Sequence, residues 1–311
     1  MKRKMPAKNM MLLLMTALIW GTTFVMQRLG AEHVGAFTFN GARFAVGAAV
    51  LLPAVFFYEN RIRKTDKEPA DAERRRRVTL RAGLACGVCM WAASGLQQMA
   101  IPLTEVGKAG FLTALYIVMV PVFHFFLFRT SNGRTWAGVA LALAGLYLLS
   151  MQEGLTLEKA DILLLLCAMI FAIHILTVDR LGGEANGVGI SCLQFAVAAL
   201  LSFAVAFAFE SPDPASIRTA LFPIAYAGIL SCGVAYTFQI LGQKNADPAI
   251  ASLILSLESV ISAAAGFFVL RQSLTRREIA GCALMFLAVV IVQLPEKADA
   301  GTCPCEPGQE T

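Results

Sequence analysis

Residues 246–270 read Ala-Asp-Pro-Ala-Ile-Ala-Ser-Leu-Ile-Leu-Ser-Leu-Glu-Ser-Val-Ile-Ser-Ala-Ala-Ala-Gly-Phe-Phe-Val-Leu. A helix needs about 20 apolar residues to cross a bilayer core, and this run supplies them. Glu258 stands at its middle. A carboxylate at that depth is costly, so it faces a protein interior or a wet cavity. Helical spacing puts Ser262 and Ala265 on the Glu258 face, with Ser259 flanking it. Small residues there let another helix, or a ligand, come close. The alternative is a structural carboxylate bonded to a neighbouring helix. An ionisable group inside a membrane argues first for function.

The rest of the chain has the same character. Of 311 residues, 57% are hydrophobic and only 15% are charged. A soluble domain carries about a quarter charged residues. The fold class is therefore all-α, an integral membrane protein with little mass left for a separate domain. Apolar runs predict ten transmembrane helices, at about 10–28, 36–57, 81–100, 107–128, 135–151, 161–179, 188–209, 219–241, 247–270 and 277–294. The Met1-Lys-Arg-Lys start resembles a signal peptide, but no small-residue cleavage site follows. The run continues into Trp20-Gly21-Thr22-Thr23, which makes it a retained first span.

An even number of spans puts both ends on one side. With the N-terminus inside, the inner segments hold Lys2, Arg3, Lys4, Lys8, the basic loop 59–80 with Arg74 to Arg77, then Arg129, Arg134, Arg180, Lys244 and Lys297. The outer segments hold Arg28, Lys108, Lys159, Arg218, Arg271, Arg276 and Arg277. The more basic side is cytoplasmic, so both termini are expected in the cytoplasm of a chain lying in the cell (cytoplasmic or inner) membrane. The basic loop reads as a topology anchor rather than as a site for anionic headgroups.

The two halves repeat one pattern. At an offset of 142, Gln97 falls on Gln239, and Ala109-Gly-Phe-Leu-Thr-Ala-Leu-Tyr116 falls on Ala251-Ser-Leu-Ile-Leu-Ser-Leu-Glu258. Earlier in the chain the offset is 151, with Arg43-Phe-Ala-Val-Gly-Ala over Gln194-Phe-Ala-Val-Ala-Ala. The difference is the extra length of the basic loop. The domains are a first five-helix repeat over 9–151, a second over 160–294, and a disordered cytoplasmic tail over 295–311. Five is odd, so the second copy enters the membrane from the opposite side. Such inverted repeats are a common plan of secondary transporters, with the site near midplane between the halves.

The alignment nominates that site. Tyr116 is the counterpart of Glu258, Gln97 of Gln239, Arg43 of Gln194, and Thr22 of His174. The expected solute-binding residues are Trp20, Thr22, Tyr116, His174, Tyr236, Gln239 and Glu258. Glu258 and His174 are also candidates for coupling, since each side chain can carry a proton. Arg43 and Pro121 read as gating or structural residues, Pro121 because it removes a helix hydrogen bond and kinks its span. Bland readings stand beside these. Tyr116 would pack with its hydroxyl on a backbone carbonyl, and His174 would be a satisfied interior histidine. Arg43 would snorkel outward, and Gln97 and Gln98 would lie near the membrane surface.

Cysteines add little. Cys86-x-x-Cys89 lies in an apolar helix with no further ligand nearby and reads as packing rather than as a redox or metal pair. Cys303 and Cys305 form a lone pair in the polar tail. No cofactor, no metal and no nucleic-acid partner is expected. The partners are a small-molecule solute and membrane lipids. Nothing in the sequence sets the oligomeric state, and a monomer suffices.

These residues resemble the EamA family of the drug/metabolite transporter (DMT) superfamily. The matching features are Trp20-Gly-Thr-Thr-Phe24, Phe39-Asn-Gly-Ala-Arg43-Phe, Gly110-Phe-Leu-Thr-Ala-Leu-Tyr116 through Pro121, and Trp136-Ala-Gly138. In the second copy they are Gly233-Val-Ala-Tyr236-Thr-Phe-Gln239, Ser256-Leu-Glu258-Ser-Val260 and Ile279-Ala-Gly281. The resemblance covers about residues 9–294. It implies ten spans in two repeats, cytoplasmic termini, a central cavity, and export or exchange of small metabolites, amino acids among them. Two positions depart from the family pattern. Ser259 stands where Pro commonly follows the ninth-span Glu, and Leu270-Arg-Gln272 replaces Leu-Gly-Glu.

The function expected is a secondary transporter or permease, not an enzyme, that exports a small, amino-acid-like metabolite by alternating access. The competing class is a membrane-embedded enzyme acting on a lipid-linked substrate. An enzyme needs a convergent nucleophile, acid/base pair or metal set. Glu258 and His174 are the interior candidates for it.

Overall fold

A computed structural model describes residues 5–63, 69–128, 133–150, 158–182, 185–244, 246–273 and 275–293. The tail over 295–311, with Cys303 and Cys305, lies outside the described residues. So do residues 64–68.

The described residues are helical almost throughout. α1 runs Ala7–Ala31, α2 Ala36–Arg63 and α3 Pro69–Ala100, with a 3₁₀ turn over Ile101–Leu103. α4 (Val106–Ala114) and α5 (Tyr116–Phe128) form one broken rod, followed by α6 (Gly133–Ser150), α7 (Lys159–Gly182) and α8 (Gly187–Phe209). A short α9 (Pro214–Thr219) leads to α10 (Leu221–Tyr226), a π-helical stretch over Ala227–Ala235, and α11 (Tyr236–Gln243). α12 (Pro248–Leu255) and α13 (Glu258–Leu270) form a second broken rod, and α14 spans Arg276–Gln293.

Among the described residues, eight helices are long and apolar enough to cross a membrane: 7–31, 36–60, 70–103, 106–127, 159–182, 187–209, 221–243 and 248–270. The fifth and tenth expected spans correspond to the shorter apolar stretches Thr135–Leu148 and Ile279–Ile291. These two lie against each other as α6 and α14. Gly145 makes that possible, because a β-carbon there would sit 2.7 Å from the Gly281 carbonyl oxygen. Contact through small residues holds helices together where lipid supplies no hydrophobic drive.

The basic stretch differs from its reading as a loop over 59–80. The chain is helical to Arg63 and again from Pro69, so Arg74 to Arg77 ride on the first turns of α3. The 3.9 Å contact of Arg77 with Glu73 joins two exposed side chains, and such pairs contribute little.

α2 lies along α8, α3 along α7, and α1 along α13, α11 and the π stretch. α4 lies beside α13. Lys108 of α4 bridges to Asp161 of α7 at 2.9 Å and to Glu158 at 3.6 Å. At the far end of α8, Glu210 accepts hydrogen bonds from the Phe37 and Thr38 amides at 2.8 and 2.7 Å and from the Thr38 hydroxyl. It thereby caps the open amides of α2 from another helix. Glu210→Ala is expected to destabilise the fold by about 1–2 kcal/mol, the usual worth of a lost cap. A thermal melt in detergent reads this directly, and an unchanged melting temperature would mean that the cap carries no load.

Candidate functional site

Both broken rods break at the same place in the repeat. α5 begins at Tyr116 and α13 begins at Glu258, positions 142 residues apart. The turns between are tight, with Leu115 N–H donating to Leu112 O at 3.3 Å and Leu257 N–H to Ile254 O at 3.2 Å. Along the second rod, the hydroxyls of Ser252, Ser256, Ser259 and Ser262 each donate to the carbonyl three residues earlier, at 2.7–2.9 Å. Such back-bonding competes with the helix ladder and favours bending. In the first rod the interruption falls one to two turns before Pro121, the position where the sequence places a kink. α5 runs unbroken through Pro121, and the interruption lies before Tyr116. Pro121 is buried but does not line the cavity described next.

Tyr116 donates its hydroxyl proton to Glu258 Oε1 at 2.9 Å. Both side chains are buried, Glu258 at 3% exposure. Gly21 lets α1 press on this point: a β-carbon there would sit 2.5 Å from Ile261 Cβ and 2.8 Å from the Glu258 carbonyl oxygen.

Around this pair lies a cavity of about 30 Å³. That volume holds roughly one water. Six of the expected residues meet on its walls: Trp20, Tyr116, His174, Tyr236, Gln239 and Glu258. Trp20 packs on Tyr236 with ring centroids 4.5 Å apart. The Tyr236 ring also meets His174 and Phe195 edge-on at 6.1 and 5.4 Å. The π stretch brings Ser231 to the same wall just before Tyr236, and π turns inside helices recur at functional sites.

Thr22 is the expected residue that the cavity excludes. Its hydroxyl donates to Ile19 O at 2.9 Å and shares a 2.8 Å bond with the Tyr226 hydroxyl, away from the lining. Thr23 takes the wall position instead.

Arg43 does not snorkel outward. At 3% exposure it lines the cavity, with Nε donating to Asn40 Oδ1 at 2.9 Å and the guanidinium 4.7 Å from the Phe44 ring centroid. Asn40 is itself held by a bond from Nδ2 to Ser94 O at 2.9 Å. Among the described residues, neither Arg43 nor Glu258 forms an ion pair. One cavity thus holds a guanidinium and a carboxyl group that form no ion pair with each other.

Several lining atoms are left open. His174 Nε2 and Gln194 Oε1 lie 2.9 Å apart, which makes Nε2 the donor and Nδ1 a bare acceptor. Among the described residues, His174 Nδ1, Gln239 Oε1 and Trp20 Nε1 meet no partner. Buried polar atoms without partners signal a missing water or ligand.

Sequence reading missed an amide cluster on the adjoining wall. Gln27 Nε2 donates at 3.0 Å to both Gln97 Oε1 and Gln98 Oε1. Gln98 Nε2 returns a bond to Gln27 O at 3.0 Å, and Gln97 Nε2 reaches Thr113 Oγ1 at 3.2 Å. Gln97 and Gln98 are buried within the protein, at 6% and 1% exposure, in the last turn of α3. The pairing of Gln97 with Gln239 in the repeat is the one sequence signal for this cluster.

Among the described residues, eight apolar helices of spanning length indicate a multi-pass membrane protein, and seven of them contribute to the polar cavity. Residues 7–151 and 158–294 both match the EamA-like transporter family. The chain belongs to the EamA-like transporter family. It is 27% identical over 285 residues to an uncharacterized transporter of Archaeoglobus fulgidus, covering 91% of this chain and 84% of that protein. It is 24% identical over 300 residues to the uncharacterized transporter YoaV of Bacillus subtilis, covering 89% of this chain and 94% of that protein. A solved crystal structure shares the fold with a TM-score of 0.71 at 18% identity, covering 90% of this chain and 94% of that one.

Proposed function

We propose that this transporter moves a small amino-acid-like metabolite out of the cell by alternating access, without a cofactor. In this reading ten spans form two inverted five-helix repeats, over 9–151 and 160–294. Both termini are cytoplasmic, and a single chain in the cytoplasmic membrane suffices. The observation that carries the proposal is the Tyr116–Glu258 bond. It joins the two repeats at equivalent breaks, inside the cavity, where a change in packing between the halves must be felt. Inverted-repeat transporters place their sites at such discontinuities. The transporter names of the relatives weigh against the enzyme reading.

The solute class follows from charge. Glu258 suits an ammonium, and Arg43, on the same cavity lining, suits a carboxylate. Trp20 and Tyr236 supply an aromatic wall for the carbon skeleton and for the cationic end. Widening the cavity would make room, and binding would supply the partners that His174 Nδ1, Gln239 Oε1 and Trp20 Nε1 lack.

Efflux and uptake of a mixed amino-acid pool by proteoliposomes tests this. A zwitterionic solute that leaves protein-bearing vesicles, but not empty ones, is the expected result. Movement of neither amino acids nor amines would sink the proposal. Arg43→Gln refines the test. It should slow transport of the zwitterion by on the order of tenfold, the weight of one charged hydrogen bond. A related amine without the carboxylate should be spared. Equal losses for both compounds would reduce Arg43 to a packing role.

A further inference from the structure

We infer that a phospholipid with an anionic headgroup occupies a recess on the lipid-facing side of the α5–α7 seam, its phosphate at Arg180 and an acyl chain between the helices. The recess has a volume of about 460 Å³, far more than the central cavity. α5 supplies Phe123, Phe126 and Leu127, and α7 supplies Ile173, Thr177 and Arg180. Phe126, Leu127 and Ile173 are 75%, 56% and 43% exposed. A chain that spans a membrane meets acyl chains on such a surface, so the walls suit hydrocarbon.

Arg180 gives the recess its second requirement. Its side chain is exposed at the end of α7, and among the described residues it forms no hydrogen bond or ion pair. Asp179 beside it is half-buried and does not line the recess. An apolar slot with one uncommitted guanidinium at its mouth matches an amphiphile with a negative head. α5 and α7 both end at this mouth. In the orientation proposed above it lies in the cytoplasmic leaflet, where headgroups are anionic and attract basic residues. The recess also sits one helix away from the central cavity. The opposite face of α7 carries His174 and Ile175 into the central cavity. A chain lodged beside Ile173 and Thr177 therefore supports the wall that holds His174.

Native mass spectrometry of the full chain, released from mild detergent with equal amounts of phosphatidylglycerol and phosphatidylcholine of matched chains, tests the site without any transport assay. The wild type should retain phosphatidylglycerol over phosphatidylcholine by on the order of fivefold, the weight of one basic residue at an anionic surface. Arg180→Gln should remove that preference, and Arg180→Lys should keep it. Thr177→Phe, which fills the slot, should lower the adducts of both lipids. Equal retention of the two lipids by the wild type would overturn the inference. So would a preference that survives both Arg180→Gln and Thr177→Phe. A chain that flies as a lipid-free dimer would overturn it by assigning the recess to a second copy, and saturation by inorganic phosphate alone would do so by assigning Arg180 to a free anion.

Discussion

Glu258→Gln leaves the fold intact and lowers solute transport by on the order of 100-fold, the upper end of what one charged hydrogen bond contributes. The expectation rests on what the substitution preserves. Glutamine keeps the shape of the side chain and an oxygen where Oε1 accepts from Tyr116 at 2.9 Å. What is lost is the acid's capacity to carry a charge. Removing an unpaired charge from a buried place does not weaken a fold, so the melting temperature in detergent should hold or rise. A solute ammonium that needs the carboxylate would lose affinity at every pH. If Glu258 only carries protons, the variant should keep solute exchange and lose accumulation against a gradient. Tyr116→Phe provides scale. It removes a single hydroxyl, about 1 kcal/mol and so roughly fivefold. A Glu258→Gln protein that transports like the wild type would move the site elsewhere in the chain.

Gly21→Val should be the most damaging substitution outside the charged residues. A β-carbon at Gly21 falls 2.5 Å from Ile261 Cβ and 2.8 Å from the backbone oxygen of Glu258. Backbone cannot swing aside as a side chain can, so α1 must move off α13. Overfilling a packed interior costs about 1–3 kcal/mol, and a clash with main chain lies at the upper end. Expression and thermal melting should both fall. Any protein that does fold should fail to transport, because α1 carries Trp20 and α13 carries Glu258 to one cavity. Gly133→Val is the matched control, since a β-carbon there meets nothing within 4 Å. If both valine variants melt with the wild type, α1 does not press on α13 as described.

Much of the site is legible in the amino-acid sequence. Composition and long apolar runs are enough to dictate membrane helices, because a bilayer leaves the backbone no other partner than itself. The repeat offset of 142 pairs Tyr116 with Glu258, and they bond. Trp20, His174, Tyr236 and Gln239 stand out as aromatic or polar groups inside apolar spans, and all reach the cavity. Polarity at depth is expensive, so position along a span already says that such a side chain points inward.

Rotation, register and meeting across helices are not legible in the same way. Thr22 and Thr23 are alike in sequence, yet successive helix residues point about 100° apart, and only the packing of α1 selects Thr23 for the cavity. Pro121 marks a weak point in α5, but the break lies before Tyr116, where the Leu115 turn interrupts the rod. Nothing local announces the π turns over Ala227–Ala235, which set the direction of Tyr236. The mutual bonds of Gln27, Gln97 and Gln98 join α1 to α3 across some 70 residues. The sequence by itself determined that the chain is built of membrane-spanning helices and which polar residues interrupt its apolar runs. Only the tertiary structure decided which of them face one another, because a helix fixes the spacing of its side chains and leaves its rotation to its neighbours.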